Sequence, residues 1–167
     1  ANGRKNGRPQ SKDNHTPPHD LDAERALLGS LLIDGRRMAA VLPVVTAYDF
    51  HREAHGQVYR AMVTIHCGGG AIDTLTVADR LTAEGTFATV GGAPLLADLL
   101  SAPPHAANAE YYARIVRDKA VRRRLILAAR DVTHAAYDAE QPVAETAKSL
   151  AATVHAEVDA RAIPLLN

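Results

Sequence analysis

Apolar residues recur at intervals of three and four over most of this 167-residue chain, the repeat of one face of an α-helix. Leu21, Ala23, Leu27, Leu28, Leu31 and Leu32 mark the first run. Asp20 stands where an N-cap belongs, Asp22 and Glu24 put negative charge in the first turn, and Asp34-Gly35 stops the helix. A second short helix is predicted over about residues 36–45, with Met38, Val41 and Leu42 inward and Pro43 near a frayed end. Tyr48-Asp49-Phe50 reads as a turn with two aromatic plugs. A third helix over about 54–66 sets Val58, Met62 and Ile65 in one stripe with Tyr59 beside it, and Gly68-Gly69-Gly70 breaks it. Asp73 or Thr74 caps a fourth, with Leu75, Ala78 and Leu81 inward, which ends at Gly85. Gly91-Gly92 leads to a fifth, carrying Leu95, Leu96, Leu99 and Leu100 and stopped by Pro103-Pro104. Strict apolar–polar alternation never outlasts about four residues, so no strand is required.

After Pro104 the character changes. Asn108 is placed to cap a helix running unbroken to about Tyr137, roughly 45 Å long at the α-helical rise. Residues 138–142 form a turn, and Pro142 suits the first position of a last helix reaching about Ala160. Val121, Leu125, Ala128, Val132 and Ala135 on one helix and Val143, Ala147, Leu150, Val154 and Val158 on the other make the seam of an antiparallel hairpin. Seven basic residues (Arg114, Arg117, Lys119, Arg122, Arg123, Arg124, Arg130) crowd the first helix, and acids dominate the second. Folding about residue 140 brings Arg124 towards Glu157 and Arg122 towards Asp159, pairs that help fix register. The expected fold is all-α: a compact bundle of short helices followed by a long antiparallel helical hairpin. Its expected parts are a disordered basic tail at 1–16, a globular head at 17–104, the hairpin at 105–160 and the start of a linker at 161–167.

Composition adds mainly exclusions. Aromatics are 4% and Trp is absent, so the core rests on Leu, Val, Ile and Ala. Lys plus Arg equals Asp plus Glu, which argues against a protein built chiefly to grip nucleic acid. Cys67 is the single cysteine, so no intrachain disulfide forms and a reducing cytoplasm fits. No apolar run reaches the roughly 18 residues of a membrane span, and the basic N-terminus lacks the apolar stretch of a secretory signal.

No catalytic constellation emerges. The glycine clusters at 68–70 and 91–92 lack the Gly-Lys-Ser/Thr of a phosphate-binding loop and read as helix punctuation. His51 and His55 are four apart with Glu53 between, but the pattern is not His-Glu-x-x-His and no third ligand is identifiable, so they read as structural histidines. Arg122-Arg123-Arg124 reads as a face neutralised by the acidic second helix in preference to a phosphate contact. Leu125-Ile126-Leu127 is more informative. Three consecutive large apolar residues on a helix point about 100° apart, so one seam cannot bury them all. Leu125 belongs to the hairpin, which leaves Ile126 or Leu127 to meet the bundle or another chain.

Six segments in order carry a resemblance. They are Pro-Pro-His-Asp-Leu-Asp-Ala-Glu (17–24) with Leu-Leu-Gly-Ser-Leu-Leu-Ile-Asp (27–34), Tyr-Asp-Phe-His-Arg-Glu-Ala-His (48–55), and Val-Tyr-Arg-Ala-Met (58–62). Next come Ile-Asp-Thr-Leu-Thr-Val-Ala-Asp-Arg-Leu (72–81), Val-Gly-Gly-Ala-Pro-Leu-Leu-Ala-Asp-Leu (90–99), and the run from Ala106 to Arg123. Over about residues 17–160 the chain resembles the N-terminal domain of the DnaB-type bacterial replicative DNA helicases. The resemblance implies a non-catalytic domain whose hairpins pair between subunits to build a collar on a hexameric ring, where DNA primase docks. It places ATP and magnesium in a separate RecA-like motor domain, with DNA engaged only by the full-length helicase. No cofactor, metal or catalytic residue is expected within this segment. Exposure logic selects Arg123, Ile126, Leu127 and Arg130 on the first hairpin helix, and Leu150 and Val154 on the second, as oligomer or partner contacts. Leu150 and Val154 serve equally well as hairpin seam. Two alternatives stand beside this reading: a stand-alone paralogue, or a nucleic-acid-binding helical module using the tail and the Arg122–Arg124 face.

Overall fold

Asp20 starts the fold as its side chain accepts the Ala23 N–H at 2.9 Å, capping helix α1 (Leu21–Ile33). The computed structural model describes residues 16–138 and 142–159, so the expected basic tail, apart from Thr16, and the expected linker lie outside the described residues. Helix α1 is buried almost all round, from Ala23 and Glu24 through Ala26–Leu32, as befits the central helix of a bundle. It packs against the third, sixth and seventh helices. Gly29 permits a close approach to the sixth: a Cβ there would lie 1.9 Å from the Leu99 carbonyl oxygen.

The second helix is shorter than its periodicity suggests. A 3₁₀ turn at Gly35–Arg37 leads into α2 (Met38–Val41), and the chain turns thereafter because Pro43 has no N–H to offer the Ala39 carbonyl. Met38 and Val41 are fully buried. A second 3₁₀ turn, Ala47–Asp49, follows. Just after it Phe50 is buried beside the Tyr59 ring, with centroids 5.1 Å apart, whereas Tyr48 within the turn is exposed and not a plug. Helix α3 (Glu53–Cys67) buries Val58, Tyr59 and Met62, and the Tyr59 hydroxyl donates to the Val45 carbonyl at 3.1 Å.

Helix α4 (Thr74–Ala83) opens with a reciprocal cap between Asp73 and Thr76. It buries Val77 and Leu81, leaving Leu75 in solvent; Leu75 and Val77 are about 200° apart round the helix and cannot both face the core. A one-turn helix α5 (Phe87–Val90), absent from the sequence expectation, bridges to α6 (Gly92–Ser101) through Gly91, whose φ of 119° suits glycine. Arg25 on α1 grips Asp98 on α6 bidentately, at 2.9 and 2.7 Å.

Helix α7 (Ala109–Tyr137) is continuous, as expected. Asn108 contributes no side-chain cap; a 3₁₀ turn at Ala106–Asn108 feeds the helix instead. The first half of α7 packs on α1 through a buried stripe of Ala109, Ala113, Val116, Ala120 and Val121. Small side chains at intervals of four and three let the two backbones approach closely. The second half leaves the head and pairs with α8 (Val143–Asp159). Among the described residues there is no strand, and no helix is long and apolar enough to cross a membrane.

Candidate docking surface

The projecting half of α7 and the whole of α8 form the hairpin. Leu125, Ala128 and Val132 are half-buried on α7, as the seam expectation requires. On α8 the half-buried residues are Thr146, Leu150 and Thr153, spaced i, i+4, i+7 along one face. Between the helices runs a shallow groove of about 260 Å³, lined by Arg124, Leu127, Ala128 and Val132 on one side and Thr146, Ser149, Leu150 and Thr153 on the other. Among the described side chains the α8 seam is therefore Thr146, Leu150 and Thr153, of which Leu150 was expected and the two threonines were not. Val143, Ala147 and Val154 share a neighbouring face of α8 and are exposed, Val143 at 52% and Val154 at 40%. The side chain of Val158 lies outside the described residues.

The selected contact residues divide into three settings. Ile126 and Leu127 are 54% and 56% exposed, and Arg130 is also exposed. Ile126 and Arg130 are one turn apart and lie on the side of α7 away from the residues that meet α8. Leu150 sits in the hairpin seam, and Val154 on the exposed face beside it. Arg123 is committed within the chain: its guanidinium donates to the carbonyls of Pro18, at 2.7 Å, and Asp49. Burial holds the Arg123 guanidinium below its ordinary arginine range, an effect the nearby carboxylates of Glu24 and Asp49 oppose.

The arginine run also makes contacts within its own helix and with the head that the hairpin expectation did not include. Arg122 pairs with Asp118 on its own helix at 2.7 Å, and Arg124 reaches Asp49 of the head at 2.6 Å. Arg117 joins the same carboxylate at 3.3 Å. The side chains of Glu157 and Asp159, the partners expected for Arg124 and Arg122, lie outside the described residues. Asp49 is fully buried, and its Oδ2 also accepts the Thr46 N–H at 2.7 Å. A sequence reading takes Asp49 for a turn residue. The signal that would have found its partners is that Arg117 and Arg124 lie seven apart, on the face continuing the Ala113, Ala120 stripe.

His51 and His55 do not share a site. His55 is buried with its Nδ1 on Glu24 at 2.8 Å, while the His51 ring stacks on His19 with centroids 4.4 Å apart. Among the described residues no group of three or more His, Cys, Asp or Glu is arranged to hold a metal ion.

The fold and surface thus define an all-α domain with a projecting helical hairpin that leaves several large apolar side chains exposed. The chain belongs to the DnaB-like helicase N-terminal domain family, whose sequence profile matches residues 16–118. Replicative DNA helicase DnaB of Leifsonia xyli subsp. xyli is 40% identical over 155 residues, covering 93% of this chain and 34% of the relative. Replicative DNA helicase DnaB of Mycobacterium leprae is 42% identical over 130 residues, covering 77% and 22%. The chain therefore spans about a third or less of the curated relatives it matches. Among solved structures, the N-terminal domain of DnaB helicase from Mycobacterium tuberculosis superposes with a TM-score of 0.77 at 39% identity, covering 84% of this chain and 99% of that one. The N-terminal domain of DnaB helicase from Helicobacter pylori, whose interactions with primase have been described, shares the fold with a TM-score of 0.62 at 18% identity, covering 70% and 91%.

Proposed function

We propose that this domain is the non-catalytic assembly module of a bacterial replicative helicase, pairing through its hairpin to build a hexameric collar and presenting primase with a composite surface. The observation that carries this is the exposed apolar set on the hairpin: Ile126 and Leu127 on α7, Val143 and Val154 on α8. Two helices alone cannot cover these side chains. Burying one aliphatic side chain gains about 1.5–3 kcal/mol, and a two-fold pairing uses each position twice. The domain holds no cofactor in this reading. ATP, magnesium and DNA belong to a motor domain carried by the parent helicase, which works in the cytoplasm.

Direct nucleic-acid binding by the arginine face gains no support from the structure. Arg114 and Arg122 pair with Glu110 and Asp118 of their own helix, and Arg117, Arg123 and Arg124 turn to the head.

Light scattering on the domain, alone and with the C-terminal domain of the host primase, tests the proposal. A dimer or larger species that gains mass with primase is the expected result. A monomer at high concentration that also ignores primase would overturn it.

A further inference from the structure

Ala109, Ala113 and Ala120 stand in the stripe by which α7 rests on the head, with Val116 and Val121 between and after them, and such small side chains lock an angle less firmly than large ones. Interdigitating ridges of large side chains select crossing angles between helices, whereas Ala109, Ala113 and Ala120 bring the backbones close over a smoother surface. Polar contacts within and just beyond the stripe add to what shape supplies. The Asp49 carboxylate, without solvent access, receives Arg117 Nη1 at 3.3 Å and Arg124 Nη1 at 2.6 Å on the same oxygen, Oδ1. These arginines are two helical turns apart, about 10 Å along the axis. A single contact leaves a helix free to pivot about it; two arms reaching one carboxylate from separated points on α7 limit that pivot, and a tie to a second point of the head removes what remains. Arg123 adds a third tie between them, to the carbonyls of Asp49 and Pro18.

We propose that Asp49 is the positioning residue that sets the angle between head and hairpin, by holding Arg117 and Arg124 at two points along α7. The carboxylate suits this task because a buried charge left without its partners is strongly destabilising. The 3₁₀ turn that carries Asp49 is itself stiffened from within, since the Thr46 N–H and hydroxyl both donate to Oδ2 at 2.7 and 3.1 Å. The joint belongs to a single chain, so the angle is defined whether or not hairpins pair between copies.

The test is an intramolecular distance. Spin labels at Asp79→Cys on α4 and Ala136→Cys near the hairpin tip, in a Cys67→Ser background, report head-to-tip separation by electron–electron double resonance. Labelled protein is diluted into an excess of unlabelled protein so that intrachain pairs dominate. Arg117→Gln with Arg124→Gln leaves the Asp49–Thr46 cap intact and is expected to widen and shift the distance distribution while far-UV circular dichroism stays helical. Arg124→Gln alone, which retains the Arg117 tie, is expected to widen it less and serves if the double variant does not fold. Arg114→Gln with Arg122→Gln, which removes two charges paired within α7, is expected to leave the distribution unchanged. A wild-type distribution in both Arg117/Arg124 variants, or equal widening in the Arg114/Arg122 control, would overturn the role of Asp49. Light scattering on the same samples judges hairpin pairing separately, so failure of one reading is distinguishable from failure of the other.

Discussion

His55 Nδ1 lies 2.8 Å from Glu24 Oε2, in a contact from which both side chains are almost wholly shielded from solvent. The same carboxylate accepts the backbone N–H groups of His51 at 2.6 Å and Arg52 at 3.3 Å. Helix α3 has no N-cap side chain of its own, since Arg52 makes no capping bond. Glu24 performs that service from α1, joining the central helix to the start of the third.

Glu24→Ala is accordingly expected to destabilise the domain by about 3 kcal/mol or more, because it strands a buried histidine and two backbone donors together. Urea unfolding followed by circular dichroism reads the difference. A loss below about 1 kcal/mol, the scale of an exposed pair, would show that the buried arrangement contributes little.

Gly29→Ala should be costly out of proportion to one methyl group. The added Cβ would meet the Leu99 carbonyl oxygen at 1.9 Å and the Pro103 ring at 2.7 Å, so α1 and α6 must separate. Overpacking of this kind costs about 1–3 kcal/mol, more where backbone blocks relief. The expected outcome is a clear fall in melting temperature; an unchanged value would mean that α6 shifts freely.

Ile126→Asp and Val154→Asp place a charge on each exposed hairpin face. Both are expected to lower the apparent mass in light scattering while helicity is retained. Leu150→Ala acts inside the seam and should chiefly lower stability, by about 1–3 kcal/mol for a half-buried leucine. Unchanged association in both aspartate variants would remove the hairpin from the assembly surface.

The His51 imidazole is held below its usual range, first by burial, then by the neighbouring His19 and Arg123, with Glu24 opposing. A base whose folded value is depressed binds fewer protons folded than unfolded, so stability rises with pH. The contribution is present above about pH 6.5, the ordinary histidine value, and is lost as pH falls through that value and below. Thermal unfolding at pH 7.5 and 5.5 should show the loss, and His51→Gln should reduce it. An identical pH response in the variant would assign the effect elsewhere.

Helices with long apolar repeats were legible in the sequence. Leu27, Leu28, Leu31 and Leu32 announce α1, and α7 is continuous because no Gly or Pro falls between Ala109 and Tyr137. One-turn α5 carries too few residues to show a period. Leu75 misled because α4 offers two apolar faces and only packing chooses between them. The hairpin misled in the same way, since Thr146 and Thr153 line the groove beside Leu150 while Val143 and Val154 remain exposed. The spacing of Arg117 and Arg124 places both on the head-facing side of α7, but which acid they meet was not legible, because those pairs span 68 and 75 residues and local spacing cannot name a contact closed by the whole fold.

The central position of α1 constrains the order of synthesis. Its leucines are shielded by α6 and by the first half of α7, elements that the ribosome delivers roughly 70–100 residues later. Until Ala113, Val116 and Ala120 emerge, a nascent chain carries an incompletely covered apolar helix, the condition under which intermediates aggregate. Cutting the gene at the apparent border near Pro104 would make that transient state permanent, so the shortest useful expression fragment extends past Val121.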